Sequence, residues 1–317
     1  MKKVVIFSNE NDVSTDLVMD WLTHLGCQPI RMHHEHLWSH AQVPFSLTQY
    51  AGAPQRISWG NHSINPEEIH TVYIRKGSSR NQKLSDGDVY ADTSSEVSAL
   101  LDYLHTRLKR KIRIGRAENE HAKLHQTEMA KSAGLDVPET LVTNTRETLL
   151  LFLDRHKQVA TKAIQYIRPA REGKSVRIFY TSLVSKKHLN ALPDTFAPSL
   201  FQEYIPKEYE IRTFYLDGRC CSMAIFSQSD QRTKIDFRDY NNSAPNRTVP
   251  YKLPLAVEKK IRVLMKLLQL NTGSIDLVKS TNGKYYFLEV NQSGQFGMIS
   301  GPCNYFLEEK IAKYLAQ

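Results

Sequence analysis

Asp276, Glu289 and Asn291 are the residues whose types and spacing most directly suggest chemistry. They lie in GSIDLVKSTNGKYYFLEVNQSGQFG, residues 273–297, where two runs of alternating apolar residues flank Asn282-Gly283. That arrangement is the strongest short-range signal for a β-hairpin. Strand residues two apart share a face, so Glu289 and Asn291 point together. A two-residue turn at Asn282-Gly283 sets Thr281 against Lys284, and counting outward brings Asp276 opposite Glu289. Directly opposed side chains hold their Cβ atoms about 4.5–5.5 Å apart. Two carboxylates that close repel, and no basic residue of the hairpin answers them. Oxygen ligands clustered in this way suit Mg²⁺, which takes one or two carboxylates and completes its shell with phosphate and water. The same pattern also describes a solvent-facing polar strand pair. A three-residue loop would defeat this register, because a one-residue slip moves every side chain to the other face.

Such a hairpin needs a body to hold it. At 317 residues the chain is long for one core and suits two or three compact units. Apolar residues make up 41% and charged residues 24%, an ordinary globular composition. No run approaches the length of an apolar membrane span. Val4 to Phe7, after Lys2 and Lys3, is too short for a signal segment and reads as a buried first strand. Cys27, Cys220, Cys221 and Cys303 form neither a CxxC nor a zinc spacing, which fits reduced thiols in a cytoplasmic protein. The histidines form no HExxH, and His33, His34 and His36 read as a surface loop. The net charge of +9 is spread along the chain. Its densest run, RLKRKIRIGR at 107–116, comes with no nucleic-acid motif, so an anionic substrate and a polyanionic nucleotide explain the charge at least as well.

Residues 1–75 alternate strand and helix, with strands at 3–8, 29–32 and 71–75, a helix at 15–25 and a hairpin-like region at 45–57. Residues 76–92 read as a loop, and 95–109 as a helix with Val97, Leu100, Leu101, Leu104 and Leu108 on one face. This is α/β patterning with a small open sheet. Next come a helix at 116–133, a strand at 137–142, a helix at 145–154 and a strand at 158–164 carrying Lys162. Residues 175–183 are expected to pair with that last strand across the basic loop 165–174. ALPDTFAP at 191–198 reads as a turn-rich link. Strands at 200–205, 211–216 and 221–227, a helix at 257–268, the hairpin and a helix at 306–315 complete the chain. The expected domains are 1–115, 116–190 and 191–317.

In this order Lys123, Lys162, Gln202-Glu203-Tyr204-Ile205, Glu210, Asp276 and Glu289-Val290-Asn291 resemble the ATP-grasp ligases over residues 116–300. KLHQTEMAKSAGLDVPETLVTN, QEYIPKEYEIRTFYLDG, TKIDFRDYN, VPY and FLEVNQSGQFGMISGPCNYFLEEKIAKYL are similar to the graspetide (microviridin-type) peptide maturases, above all their grasp-with-spasm branch. KLHQTEMAKSAGLDVP also resembles the ribosomal-protein glutamate ligases. The resemblance implies an α/β (α+β) ATP-grasp fold with an N-terminal pre-ATP-grasp domain, then a small subdomain with the phosphate loop and a large one with hinge and metal site. It implies ATP and Mg²⁺ as cofactors. As partner it implies a ribosomally made precursor peptide, with a leader and a core rich in Thr, Glu and Asp, rather than nucleic acid or membrane. It also implies a homodimer. In the implied reaction ATP phosphorylates a side-chain carboxylate of the peptide, and a Thr or Ser hydroxyl of the same peptide attacks the acyl phosphate. An ω-ester ring forms, with ADP and phosphate released.

The resemblance also implies roles. Lys123 and Lys162 would contact phosphate. Lys162, between Thr161 and Ala163 in mid-strand, is an odd place for a merely solvated lysine. Gln202, Glu203, Tyr204 and Ile205 would form the hinge that meets adenine, and Glu210 would bind the ribose hydroxyls. Arg212 and Arg238 would hold the γ-phosphate or the reacting carboxylate, since a guanidinium fork matches planar anions and can stabilise transition-state charge. Asp276, Glu289 and Asn291 would hold the metal, and Arg75 would touch substrate. One departure stands out: the loop 165–174 holds a single glycine, Gly173, where many relatives are glycine-rich. Arg168, Arg171 and Lys174 would there replace backbone contacts with charge. The alternatives are a ligase adding an amino acid to a peptide or protein tail, a nucleotide-binding regulator without ligation, and a basic RNA-binding module.

Overall fold

Four consecutive apolar residues, Val4 to Phe7, are all buried, as expected for a strand of a covered parallel sheet. They belong to β1 (Lys2–Ser8) in a computed structural model that describes residues 1–33, 44–50, 52, 55–75, 88–116, 122–164, 170–172, 175–177, 180–239 and 243–317. Two compact units are present: Met1–Glu120 with Leu270–Gly273 and Gln292–Gln317, and His121–Gln269 with Ser274–Asn291.

In the first unit α1 (Val13–His24) leads to β2 (Cys27–His33), which pairs in parallel with β1. A small antiparallel sheet follows, made of β3 (Phe45–Thr48), β4 (Arg56–Trp59) and β5 (His62–Ile64). Then β6 (Ile69–Ile74) pairs on the other side of β1, and α2 (Asp88–Leu108) leads to β7 (Ile112–Ile114), giving the parallel order β2-β1-β6-β7. Val5, Phe7, Trp59, Ile64, Leu104 and Leu108 share one core, so α2 and the small sheet cover one face of the parallel sheet. The expected stripe of α2 is buried at Val97, Leu101, Leu104 and Leu108 and half-buried at Leu100, yet the helix starts at Asp88, inside the stretch read as loop. Its Asp-, Ser- and Thr-rich start has weak helix propensity, and the packed stripe behind it overrides that preference. Residues 76–87 of the expected loop lie outside the described residues. Gly115 is required for geometry: its φ is +86°, and a Cβ there would sit 2.2 Å from the Ile74 carbonyl oxygen.

The second unit opens with α3 (Lys123–Ser132), which starts later than the expected helix at 116. It continues through β8 (Thr140–Thr145), α4 (Arg146–Arg155), β9 (Val159–Lys162), the hairpin of β10 (Ala170–Glu172) and β11 (Ser175–Arg177), β12 (Ser182–Leu183), α5 (Lys186–Ala191) and β13 (Thr195–Glu203). Of the expected 175–183 strand, only β12 pairs with β9. The sheet order is β12-β9-β13-β8, over a core of Leu149, Val159 and Phe201. Residues 195–198, read as a link, belong to β13, and its register with β8 shifts between Thr195 and Ser199, where Pro198 cannot donate a ladder bond. The expected break at 190/191 thus precedes a strand that completes this sheet.

A second sheet, ordered β16-β15-β14-β17-β18, is built from β14 (Lys207–Leu216), β15 (Arg219–Phe226), β16 (Arg247–Tyr251), β17 (Thr272–Ser280) and β18 (Tyr285–Asn291). α6 (Leu255–Leu267) lies between β16 and β17 in sequence and buries Ile261, Leu264 and Met265 on one side. The last elements, α7 (Gly297–Ser300) and α8 (Leu307–Ala316), return to the first unit, although the sequence placed them with 191–317. α8 buries Leu307, Ile311 and Leu315 and packs against α1, β1 and β6, with the Thr71 hydroxyl donating to the Leu315 carbonyl at 3.0 Å.

Candidate active site

The hairpin closes differently from its sequence expectation. Ser280 N–H donates to the Lys284 carbonyl at 2.9 Å, so Thr281, Asn282 and Gly283 form a three-residue loop, with Gly283 at φ +85°. The register next to the turn is accordingly slipped by one, with Leu277 opposite Phe287. An irregularity between Asp276 and Leu277 then leaves Leu288 without a partner and restores the count, so Asp276 faces Glu289 and Ser274 faces Asn291. The expected pairing is reached through two compensating departures. The bulge also puts neighbours Leu288 and Glu289 on the wall of one cleft.

Helix α3 docks against this strand through residues three apart, which share a helix face. Gln126, 4% exposed, receives the Val290 N–H on Oε1 at 2.8 Å and donates from Nε2 to the Val290 carbonyl at 3.0 Å. One turn earlier, Lys123 Nζ lies 3.1 Å from Glu289 Oε2 and 3.4 Å from the Ala163 carbonyl, beside Lys162. From β14, Arg212 reaches Asp276, with Nε 3.2 Å from Oδ1 and Nη2 3.4 Å from Oδ2. The cations that answer the two acids therefore come from outside the hairpin.

These partners divide the acids. Burial and, after it, Glu289 raise Asp276 against the pull of Arg212, leaving it at about 6. Burial would also raise Glu289, but Lys123 and Lys162 outweigh it and hold Glu289 below the usual carboxylate range. Burial brings the Lys162 ammonium down to about 8, opposed by Glu289 and reinforced by Lys123. Asp276 Oδ1 is buried and accepts no hydrogen bond among the described residues. Its charge is met by the Arg212 guanidinium at 3.2 Å, and the carboxylate–carboxylate–amide set of Asp276, Glu289 and Asn291 is hard-oxygen chemistry suited to Mg²⁺.

A cleft runs along this site. Pro138, Ala160, Ile205, Leu277 and Leu288 make its apolar walls, while Lys162, Arg238, Asp276 and Glu289 furnish charge. Glu210, also on the wall, is buried, and burial raises its proton affinity against the pull of Lys207 and Ser227, both of which donate to it. Lys207 Nζ donates as well to the Ile235 carbonyl at 3.0 Å. Between β13 and β14, the N–H groups of Glu203 and Tyr204 are taken by the carbonyls of Glu139 and Gln158, at 2.9 and 3.0 Å. The Ile205 N–H has no partner among the described residues. An apolar slot with charge in it fits a flat ring bearing an anionic tail.

No protein-family model matches the chain, and no curated protein matches it in sequence. Solved structures do match. A Chryseobacterium gregarium RiPP-associated ATP-grasp ligase, in complex with ADP and a leader and core peptide, superposes with a TM-score of 0.83 at 24% identity, covering 100% of this chain and 96% of that one. The macrocyclase MdnC of Microcystis aeruginosa, bound with precursor peptide MdnA, gives 0.79 at 24% identity over 99% of both chains. An ATP-grasp protein with a RimK domain from Sphaerobacter thermophilus gives 0.55 at 13% identity over 99% of this chain and 100% of that one. The chain has the ATP-grasp fold.

Within this ATP-grasp fold, Lys162, Gln202, Glu203, Tyr204, Ile205, Glu210, Arg238, Asp276 and Glu289 all line the one cleft. Gln202 is pinned by its amide donating to the Thr140 hydroxyl at 2.9 Å. Lys123 and Arg212 reach the site by touching Glu289 and Asp276, and Asn291 ends β18 beyond them. Arg75 belongs to the first unit, where it is 3% exposed, pairs with Asp12 at 3.3 Å, donates to the Ser293 carbonyl and lies 5.2 Å from the Phe296 ring. The phosphate-loop residue Arg168 and the glycine Gly173 lie outside the described residues, as does Lys174. Sequence reasoning missed Gln126, Lys207 and Ser227. The first was legible only as a polar residue three after Lys123, and the second as a lysine three before Glu210.

Proposed function

We propose that this ATP-grasp chain is an ATP-dependent carboxylate ligase acting on a ribosomally made precursor peptide. It would activate Glu or Asp side chains as acyl phosphates and join them to Thr or Ser hydroxyls in ω-ester rings. The observation that carries the reading is the Asp276–Glu289 pair, opposed across the hairpin and set in one cleft with Lys162 and Arg238. The solved structures of the same fold support the substrate class, since one is in complex with ADP and leader and core peptides and another with its precursor peptide.

In this reading the apolar walls take the adenine ring, and the Ile205 N–H offers it a hydrogen bond. Glu210, oriented by Lys207 and Ser227, accepts from the ribose hydroxyls. Lys123 and Lys162 meet phosphate as point charges. Asp276, Glu289 and Asn291 would hold Mg²⁺, which supplies charge neutralisation to the phosphates when bound. Arg212 and Arg238 hold the terminal phosphate and the reacting carboxylate in register. The enzyme needs no covalent nucleophile: it positions two groups and stabilises charge that develops between them. Residues 121–203 would serve as the small subdomain and the β14–β18 sheet as the large one.

Incubation with ATP, Mg²⁺ and candidate peptides rich in Thr, Glu and Asp tests this by mass spectrometry. Loss of one water per linkage, dependent on ATP, is the expected result. Mass gain by an added amino acid would instead make the chain a tail ligase, and binding of ATP with no peptide change would make it a regulator.

A further inference from the structure

Asp236 and Arg238 follow β15 in sequence and both line the cleft. Asp236 is 7% exposed. Its Oδ1 accepts the Arg238 Nε–H at 2.8 Å and its Oδ2 accepts Nη2–H at 2.6 Å, a parallel two-bond grip. The same carboxylate accepts two backbone N–H groups, from Arg238 at 3.1 Å and from Thr181 at 3.0 Å. Burial works against its charge, but the Arg238 bonds and the two backbone donors hold its carboxyl down to about 2. Asp236 is therefore ionised at neutral pH and unsuited to accept a proton from a substrate hydroxyl.

The grip has a directional consequence. A guanidinium held through Nε and Nη2 has its plane fixed and its Nη1 edge turned away from the holder. Nη1 of Arg238 has no partner among the described residues, and the side chain is 45% exposed. Glu289 and Asp276 both stabilise the Arg238 charge, and Arg238 in turn lowers the proton affinity of Lys162. Arg238 thus lines the cleft with Lys162, Asp276 and Glu289, within reach of their charges.

We propose that Asp236 is a positioning residue that aims the free edge of Arg238 at the nucleotide's terminal phosphate. Through Thr181 it ties that aim to the segment that follows the β10–β11 hairpin. The inference rests on the nucleotide-ligase reading above and deepens it, by assigning the selectivity for a third phosphate to a residue that touches no substrate.

The test compares binding of Mg²⁺-ADP and Mg²⁺-AMPPNP to the unmodified protein, Asp236→Asn, Arg238→Ala and the double variant, each checked for folding by thermal melt. Asp236→Asn should bind the diphosphate within about twofold of the unmodified protein while losing about tenfold for the triphosphate analogue. The double variant should be no weaker than Arg238→Ala alone, because Asp236 acts only through Arg238. Equal losses for the two nucleotides, or losses that add in the double variant, overturn the proposal. If Asp236→Asn does not fold, Asp236→Glu takes its place. It keeps the charge but displaces the grip, so the same selective loss is expected, and unchanged analogue binding overturns the proposal. An unmodified protein that binds neither nucleotide overturns the ligase reading itself, and this inference with it.

Discussion

Gln126 makes to Val290 the two hydrogen bonds that a neighbouring strand would make, accepting its N–H at 2.8 Å and donating to its carbonyl at 3.0 Å. β18 is the end strand of its sheet, so one side of its backbone needs partners from elsewhere. Gln126 supplies them at the residue between Glu289 and Asn291.

Gln126→Leu should therefore strand a buried N–H and a buried carbonyl. A loss of about 2 kcal/mol in denaturant unfolding is expected. The Mg²⁺ dependence of nucleotide binding should weaken in the same variant, because Glu289 and Asn291, the metal ligands proposed above, lose their common anchor. Unchanged stability would show that water replaces the amide without penalty.

Glu289→Gln should abolish ATP-dependent peptide modification and leave the fold intact. The substitution removes a charge that Lys123 and Lys162 stabilise, so a modest fall in melting temperature is expected, while Mg²⁺-dependent nucleotide binding should be lost. Full activity in this variant would mean that the hairpin is not the metal site.

His105 makes stability depend on pH. It is 3% exposed, lies 5.0 Å from the Phe7 ring, and burial brings its imidazole down to about 4. Below the ordinary histidine range the unfolded chain binds a proton that the folded chain refuses. Stability should then fall as pH drops from about 6.5 towards about 4, by about 2 kcal/mol between about pH 7.5 and about pH 5. His105→Leu should flatten that slope in unfolding curves taken at both pH values. An unchanged slope would place the acid sensitivity in other groups.

Gly115→Ala should destabilise the first unit by about 2–3 kcal/mol or more, read by thermal or denaturant unfolding. Both the positive φ and the 2.2 Å approach to the Ile74 carbonyl oppose any Cβ there. Gly52, which also has positive φ but no described neighbour within 4 Å of an added Cβ, is the control: alanine there meets the backbone strain alone among the described residues.

Periodicity carried much of this architecture. The stripe of α2, the Val257–Ile261–Leu264–Leu268 face around α6 and the four-residue run of β1 are local patterns; all their residues are buried except Val257 and Leu100, which are half-buried. The ordered set of Lys123, Lys162, Gln202 to Ile205, Glu210, Asp276 and Glu289 to Asn291, through its resemblance to a known family, pointed to the ATP-grasp fold. Boundaries were less legible where local chemistry and packing disagree. Pro198 and the Asp- and Ser-rich start of α2 look like loop, yet each lies within a regular element whose other residues are anchored in a core.

Local sequence by itself determined most of the strands, the presence of the hairpin and which acids could meet, because hydrophobic alternation and turn chemistry act between near neighbours. Only the tertiary structure decided how they meet. The longer loop and the bulge at Leu288 cancel to one register, Lys123 and Arg212 arrive from other elements to divide two like charges, and Asp236 grips Arg238 through two hydrogen bonds. Hydrogen bonds and ion pairs between elements depend on where packing sets each backbone, and spacing along the chain does not encode that.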